Sequence, residues 1–202
     1  DYVKELGGKP FLTDCNTLYP GSRKNALEHL YCAWENGFTP LSVGCPVIIG
    51  DGLKGTDDIE VPVQGGEYIE KAKIGRAVMD ADVFISLTHF KGHETTGFGG
   101  TIKNIGMGCG SRAGKKDQHS VGKPTIDQEA CRGCKSCLRE CANDGLIYDA
   151  DARKMSIDLE HCVGCGRCIG ACNFDAISFM DSAATKVLNC KMAEYTKAVV
   201  DG

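Results

Sequence analysis

Two stretches decide how this chain is organised: CRGCKSCLREC at residues 131–141 and CVGCGRCIGAC at residues 162–172. Both have the spacing Cys-x2-Cys-x2-Cys-x3-Cys, and each cysteine of the first recurs 31 residues later in the second. Three thiolates so close together in sequence can occupy three corners of an iron–sulfur cube, whereas zinc sites usually draw two cysteine pairs from separate knuckles. The spacing therefore favours two iron–sulfur clusters over zinc and over cysteines that only pack.

The two motifs resemble those of bacterial ferredoxins with two [4Fe-4S] clusters, and this resemblance covers residues 124–181. It implies a ferredoxin-like α+β domain in which residues 146–158 form a hairpin between the motifs. In two-cluster ferredoxins the fourth cysteine of each motif ligates the other cluster. The implied ligand sets are Cys131, Cys134, Cys137 with Cys172, and Cys162, Cys165, Cys168 with Cys141. The proline that usually follows the fourth cysteine is replaced by Ala142 and Asn173, which makes both turns less rigid.

The composition limits the cellular compartment and the classes of partner that we expect for the protein. Thirteen cysteines in 202 residues are not the pattern of a small secreted disulfide scaffold, so metal binding in a reducing cytoplasm is the better interpretation. The net charge of −4, which bound clusters would make more negative, argues against a nucleic-acid partner. The longest apolar run, at residues 41–50, is broken by glycine and proline, so we expect no membrane span.

The first part of the chain, residues 1–123, alternates short apolar runs with helical stretches, which predicts an α/β domain with a mostly parallel sheet and flanking helices. The chain opens on DYVKEL, which reads as the end of a helix and suggests truncation at the N-terminus. A last helix is expected to return to the α/β domain from 182–202. The individual predictions are strands at 10–14, 45–50, 59–63 and 82–88, helices at 22–37 and 67–82, and a loop at 110–124.

A second candidate site lies between residues 89 and 123. This segment holds six lysines and arginines against two acidic residues, together with three of the five histidines. Clustered positive charge and glycine-exposed N–H groups both favour oxyanions, and GFGGTIKNIG at 97–106 predicts a glycine-rich loop leading into a helix. Its position after the predicted strand 82–88 fits the rule that ligands bind at the carboxyl ends of strands in open α/β sheets.

The predicted roles in this segment follow from residue chemistry. Histidines suit general acid or base catalysis, and lysines suit phosphate positioning or nucleophilic attack. The candidate catalytic residues are His89, His93, Lys103 and His119, and the candidate substrate-binding residues are Lys91, Asn104, Arg112 and Lys115. Surface histidines with ordinary hydrogen bonds, solvated lysines and a flexible glycine loop are the open alternatives. Basic surroundings also make Cys109 a candidate reactive thiolate.

Nearly the whole chain resembles a family of uncharacterised "Fe–S centre" proteins, in which a domain of unknown function carries a ferredoxin domain. The stretches that carry this resemblance are TDCNTLYPGSR, PVIIGDGLKG and SLTHFKGHETTGFGGTIKNIGMGCGSRAGK, followed by the two cysteine motifs. A fainter similarity connects His93 and GFGGTIK to the nickel-pincer lactate racemases, in which a lysine at the position of Lys103 holds the cofactor. Gly99 and Thr101 depart from that pattern.

These observations give three functional hypotheses. In the first, a possible oxidoreductase passes electrons from two [4Fe-4S] clusters to a small anionic substrate or a redox partner protein at the basic, histidine-rich loop. In the second, the chain is a non-enzymatic electron carrier or assembly module that docks a larger enzyme through that loop. In the third, the chain is an enzyme with a site related to the nickel-pincer racemases.

Overall fold

The structure is a computed structural model that describes residues 2–18, 21–93, 96–119, 122–164, 166–179 and 182–202, with only the backbone described at 179 and 182–184. Its helices are α1 Tyr2–Glu5, α2 Ala26–Glu35, α3 Pro40–Val43, α4 Arg76–Met79, α5 Thr101–Gly106, α6 Arg112–His119, α7 Ser136–Glu140, α8 Arg167–Gly170 and α9 Ser182–Asp201. Its strands are β1 Leu12–Asp14, β2 Val47–Ile49, β3 Asp58–Pro62, β4 Lys71–Gly75, β5 Lys91–His93, β6 Gly97–Gly99, β7 Pro124–Ile126, β8 Leu146–Asp149, β9 Lys154–Ile157 and β10 Ile177–Phe179.

The strands pair into small two-stranded sheets. Only β1 and β2 are parallel among the described pairs, whereas β3–β4, β5–β6, β8–β9 and β7–β10 are antiparallel. The mixture of helices and strands is as expected for an α/β chain, but the predicted mostly parallel sheet is wrong. Most of the antiparallel partners are joined by fewer than ten residues, which is too short for the crossover that parallel neighbours need.

The predicted helix at 67–82 is largely a strand. Residues 71–75 form β4, and only 76–79 are helical. Ala72 and Ile74 are fully buried, while Lys71 is exposed and Lys73 half-buried, so the burial alternates with the period of a strand. The hairpin partner β3 contributes buried Val61 to the same core, and this shared burial overrides the helix propensity of the lysines and glutamates.

Two further predictions also differ from the structure. Residues 82–88 are not a strand: the segment carries no strand hydrogen bonds and exposes Val83, Ile85 and Leu87. Residues 112–119 form helix α6 inside the predicted loop 110–124. Buried Ser111 precedes this helix, and its hydroxyl accepts a hydrogen bond from the Gly114 N–H, an N-terminal capping contact that the glycine-rich composition hides.

The first core lies between the β3–β4 hairpin, α4, α5 and α9. Its buried residues include Val61, Ile74, Val78, Ile105 and Tyr195. Helix α9, predicted as the last helix, supplies the wall opposite the hairpin. Neither α9 nor any other helix in the described part of the chain is long and apolar enough to cross a membrane.

A second, separate core lies under the two cysteine motifs. It is built from Leu146, Met155, Ala176 and Ile177 with the buried thiols Cys131 and Cys137. Strands β8 and β9 form the hairpin predicted at residues 146–158, and β7 pairs with β10 across the ends of this region. The cysteines thus sit over a small apolar layer of their own.

A substitution at Gly106 would test the packing of α5 on α9. A Cβ atom at this position would lie 2.1 Å from the Met192 carbonyl oxygen and 2.8 Å from the Thr196 hydroxyl. We expect Gly106→Ala to lower the free energy of unfolding by about 1–3 kcal/mol despite the better helix propensity of alanine, because overpacking forces the helices apart. Urea unfolding measures this loss. Gly92→Ala, where nothing lies within 4 Å, is the matched control, and equal stability of the two variants would contradict the packing.

Candidate functional sites

The first three cysteines of the first motif share a pocket with the last cysteine of the second motif. Cys131, Cys134, Cys137 and Cys172 all line one small cavity, which is partly open to solvent and has Met155, Ala176 and Ile177 in its lining. Cys131 and Cys137 are buried, Cys172 is half-buried and Cys134 is exposed. Three neighbouring thiols and one that is distant in sequence therefore line the same space.

A second small cavity repeats this arrangement with the motifs exchanged. Cys162 and Cys168 line it together with Cys141, the last cysteine of the first motif. Leu146 and Ile157 contribute apolar walls. Cys165, the remaining predicted ligand of this set, lies outside the described residues.

The surroundings of these thiols can be compared with what an iron–sulfur cluster requires. Hydrogen bonding by the Ser136 backbone is the largest cause that lowers the pKa of the Cys134 thiol, which favours the thiolate that binds metal. The Gly145 N–H donates to Cys141 Sγ at 3.3 Å, a contact of the kind that tunes cluster ligands. Among the described residues, no three His, Cys, Asp or Glu side chains converge closely enough to hold a single metal ion. The cysteines thus share pockets and hydrogen bonds of the kind that metal-binding thiolates use.

The basic segment begins with a hairpin at the surface. Strands β5 and β6 present exposed Lys91, and Phe90 stacks on Phe98 with their ring centroids 5.5 Å apart. His89 is also exposed, and Asn104 fixes its backbone by accepting from the His89 N–H at 3.2 Å and donating to its carbonyl at 3.3 Å. Asn104, predicted to bind substrate, therefore anchors the loop. The backbone does turn from the glycine-rich strand into helix α5 at Gly100.

His119 is buried, and the charges of two other predicted catalytic residues affect its pKa. Burial is the main cause that lowers the pKa of His119 to about 4, and the charges of Lys103, Lys115 and His93 contribute to this lowering. Lys103 lies across β6, with its Cδ 3.3 Å from the position of a Cβ on Gly99. The charges of Lys103 and His93 thus act on His119, although the three residues come from a hairpin and two helices.

The two remaining predicted substrate contacts are used inside the fold. Lys115 is only 6% exposed, and its ammonium group donates to the Gly108 carbonyl at 3.0 Å and the Gly110 carbonyl at 2.5 Å. Its charge is therefore not on the surface, contrary to the sequence-based prediction. Arg112 is half-buried against Gly55, and its backbone N–H donates to the Gly55 carbonyl at 3.3 Å.

The second cysteine motif is in backbone contact with the end of helix α6. A Cβ atom on Gly164, which lies between two cysteines of the second motif, would be 2.8 Å from the His119 carbonyl oxygen and 2.2 Å from that of Gly122. Gly164 has a φ of +71°, so glycine is required here for its backbone as well as for its size. The second motif therefore meets the basic segment at the backbone of His119.

The sequence-based predictions missed a buried polar pair at the carboxyl ends of β1 and β2. The Asn16 backbone N–H and Nδ2 both donate to Asp51 Oδ1 at 2.9 Å, and both residues are fully buried. Asn16 comes just after β1 and GDG just after β2, so polar residues at two strand ends were the available signal, but nothing local in the sequence pairs residues 35 positions apart. Cys109 packs in the same core, and burial raises the pKa of its thiol to about 12, so the prediction of a reactive thiolate is wrong.

The buried His119 should make the free energy of unfolding depend on pH in the acidic range. Its pKa is about 4 when folded and near 6.5 without burial, so the unfolded chain binds more protons between these values. The free energy of unfolding should fall as the pH drops from about 6.5 to about 4, by about 3 kcal/mol in full. Urea unfolding over this range measures the loss, and His119→Gln should remove that part of the slope. The exposed-site control His89→Gln should retain it; equal slopes for all three proteins would contradict the assignment.

Comparison with known proteins places the chain in a family. No curated protein matches the sequence. The family described as "Domain of unknown function (DUF362)" matches residues 1–201, which is nearly the entire chain. This agrees with the coarser part of the resemblance noted from the sequence, a domain of unknown function. The protein belongs to the DUF362 family.

Proposed function

We propose that this protein binds two [4Fe-4S] clusters and passes electrons to a substrate or partner at the basic segment around His93, Lys103 and His119. The observation that carries the proposal is the grouping of the thiols in two pockets. Each pocket takes most of its cysteines from one motif and its last cysteine from the other. This is the exchange by which two-cluster ferredoxins hold their clusters.

The proposed ligands are divided between the pockets as the ferredoxin resemblance implies. One cluster would be held by Cys131, Cys134, Cys137 and Cys172, and the other by Cys141, Cys162, Cys165 and Cys168. A bound cluster of this type supplies reversible one-electron chemistry. The apolar floor of Leu146, Met155 and Ile177 would limit the access of water to it.

Zinc is the alternative that these observations disfavour. A structural zinc ion needs four ligands around one point, with sulfur about 2.3 Å from the metal. Zinc sites usually draw two cysteine pairs from separate knuckles, whereas the first pocket takes three closely spaced cysteines from one motif and a fourth from the other. A polynuclear cluster uses this spacing, because each thiolate binds a different iron.

Contact between Gly164 and His119 supports a route for the electrons. Gly164 of the second motif meets the His119 backbone, so we assign to the second cluster the transfer to the basic segment. Lys103 and His93 would bind the negative charge of the acceptor, and His119, kept neutral by its low pKa, would remain an acceptor of hydrogen bonds. Exposed Lys91 and His89 would attract anions to the same face.

The exposure of the hairpin favours a second candidate, in which the acceptor is a protein. Phe90 and Phe98 are 73% and 59% exposed, next to exposed Lys91. Aromatic side chains on an open basic hairpin suit a macromolecular surface better than an enclosed small-molecule site. In this case the chain is an electron carrier or assembly module that docks a larger enzyme.

The exchanged ligation makes a sharp prediction for paired substitutions. We expect about eight iron and eight sulfide per chain after anaerobic purification. Cys134→Ala with Cys172→Ala should disable one pocket and leave about four iron, whereas Cys134→Ala with Cys141→Ala should disable both and leave almost none. Iron and sulfide analysis with electron paramagnetic resonance of the reduced proteins measures this.

Cys32→Ala with Cys190→Ala, outside the motifs, is the control and should keep the full iron content. In the reverse result, Cys134→Ala with Cys141→Ala would leave about four iron and Cys134→Ala with Cys172→Ala almost none. Each motif would then hold its own cluster, and exchanged ligation would be wrong. Zinc in place of iron in the unsubstituted protein would overturn the whole proposal.

The basic segment is tested by reoxidation of the chemically reduced protein. A panel of carboxylate- and phosphate-containing acceptors should include compounds that accelerate it, and His93→Gln with Lys103→Met should abolish the acceleration while leaving cluster absorbance intact, because the anion loses both contacts. Lys54→Met, at an exposed site elsewhere, should change nothing. Unchanged acceleration in the double variant would exclude these residues from the site. No acceleration by any small anion would favour the protein acceptor.

A further inference from the structure

The mouth of the first cysteine pocket has a basic rim without partners of opposite charge. Arg132, Lys135, Arg139 and Arg153 are all exposed there. Lys135 Nζ lies 3.7 Å from the centroid of the Tyr148 ring, and Arg139 Nη2 donates to Ser136 Oγ at 3.2 Å. Within the described part of the chain, none of these four cations forms an ion pair.

Two of these cations line the pocket, and the other two come from helix α7 and from the hairpin that adjoins it. Arg132 and Lys135 belong to the pocket lining itself, as does Phe174, which is 47% exposed. Arg153 comes from the β8–β9 hairpin, and its carbonyl oxygen would lie 2.1 Å from a Cβ on Gly133, between Arg132 and Cys134. The result is a face with an apolar aromatic centre, an exposed cysteine and a ring of positive charge.

Carboxylates are present nearby but do not cancel this ring. Glu129, Asp149 and Asp151 are exposed on the same half of the chain. Asp149 Oδ1 accepts from the Asp151 and Ala152 N–H groups at 2.9 Å, so this carboxylate closes the hairpin turn instead of pairing with a cation.

The second cysteine pocket provides a contrast. Its Arg167 is paired with Glu140 at 2.7 Å, and His161 nearby is paired with Asp158 at 2.8 Å. Its Gly164 is covered by the His119 and Gly122 backbone. Across the described residues, the arginine that lines the second pocket is thus paired with a carboxylate, whereas Arg132 and Lys135 of the first pocket form no ion pair.

We propose that the face formed by Arg132, Lys135, Arg139 and Arg153 around Phe174 docks an acidic protein that carries one electron at a time, such as a reduced acidic ferredoxin. This inference rests on the proposed cluster binding. Each docked carrier gives up one electron and the chain takes up one, with no proton transferred. A chain with a net charge of −4 repels an acidic carrier elsewhere, so the basic face also selects the orientation in which the carrier meets the first pocket.

The shape of the face favours a protein over a small anion. Its cations project from different segments around an exposed aromatic ring and do not converge on one point. Weak redox complexes bury little area and have an apolar centre with a polar rim. Their association rates depend strongly on opposite charge and on salt.

The test compares two double variants with the same change in net charge. Arg132→Glu with Arg153→Glu reverses charge on the face, and Lys9→Glu with Lys54→Glu reverses it at exposed sites elsewhere. At low ionic strength the rate constant for reduction by a reduced acidic two-cluster ferredoxin should fall on the order of 10-fold more for the first variant than for the second. The Kd of the oxidised ferredoxin, from titration calorimetry, should rise in the same order, and both differences should vanish at high salt.

Iron content and full chemical reduction, followed by electron paramagnetic resonance, separate the two proposals. A wild-type chain without clusters would remove the proposed function itself. Clusters that assemble and reduce fully in all proteins, together with equal rates and Kd values for the two variants, would overturn the docking face alone. The difference between the two variants is also measured in inorganic phosphate and in chloride of equal ionic strength. A difference that disappears only in phosphate would show a small-anion site and would also overturn the docking face.

Discussion

The return of helix α9 to the first core is the constraint on which the rest of the structure depends. This helix follows the cysteine motifs in the sequence, yet its side chains form hydrogen bonds with residues much earlier in the chain. Glu194 accepts hydrogen bonds from the backbone N–H groups of residues 67–69, and Tyr195 hydrogen-bonds both Lys73 and Asp117. Because α9 fixes α6 through Asp117 and α5 through Gly106, it sets where His119 and Lys103 stand. The position of His119 against Gly164 therefore depends on packing at the far end of the chain.

This dependence explains why the two candidate sites differ in how well the sequence revealed them. The cysteine motifs are local patterns: three ligands follow one another within a few residues, and their spacing alone limits the chemistry. Lys115 and Asn104 are not local in this sense, because a lysine or asparagine beside glycines looks the same whether it faces solvent or binds a carbonyl. Only the folded chain shows that Lys115 holds the Gly108 and Gly110 carbonyls. The pair Asn16 and Asp51, 35 residues apart, was missed for the same reason.

The fold predictions failed where propensity and burial disagree. Residues 71–75 are rich in helix-forming lysine and alanine, but Ala72 and Ile74 fill the first core from a strand. Residues 82–88 have the opposite problem, since VFISL has the composition of a strand but no described neighbour to pair with. The helices at 26–35 and 182–201 and the hairpin at 146–157 were predictable, because their periodicity or turn signals extend over many residues.

Charge adds a direction to this arrangement. A carrier that delivers electrons and an acceptor that receives them cannot occupy the same surface at once without competing. In the described structure the two basic surfaces lie on different segments, one around Arg132 and Arg153 and the other around Lys91 and Lys103. Gly164 of the second motif meets the backbone carbonyl of His119 at the end of α6, so the proposed second cluster would be the one next to the surface around Lys91 and Lys103. A chain of net charge −4 that keeps positive charge at both ends of such a route can attract negatively charged partners to each end independently.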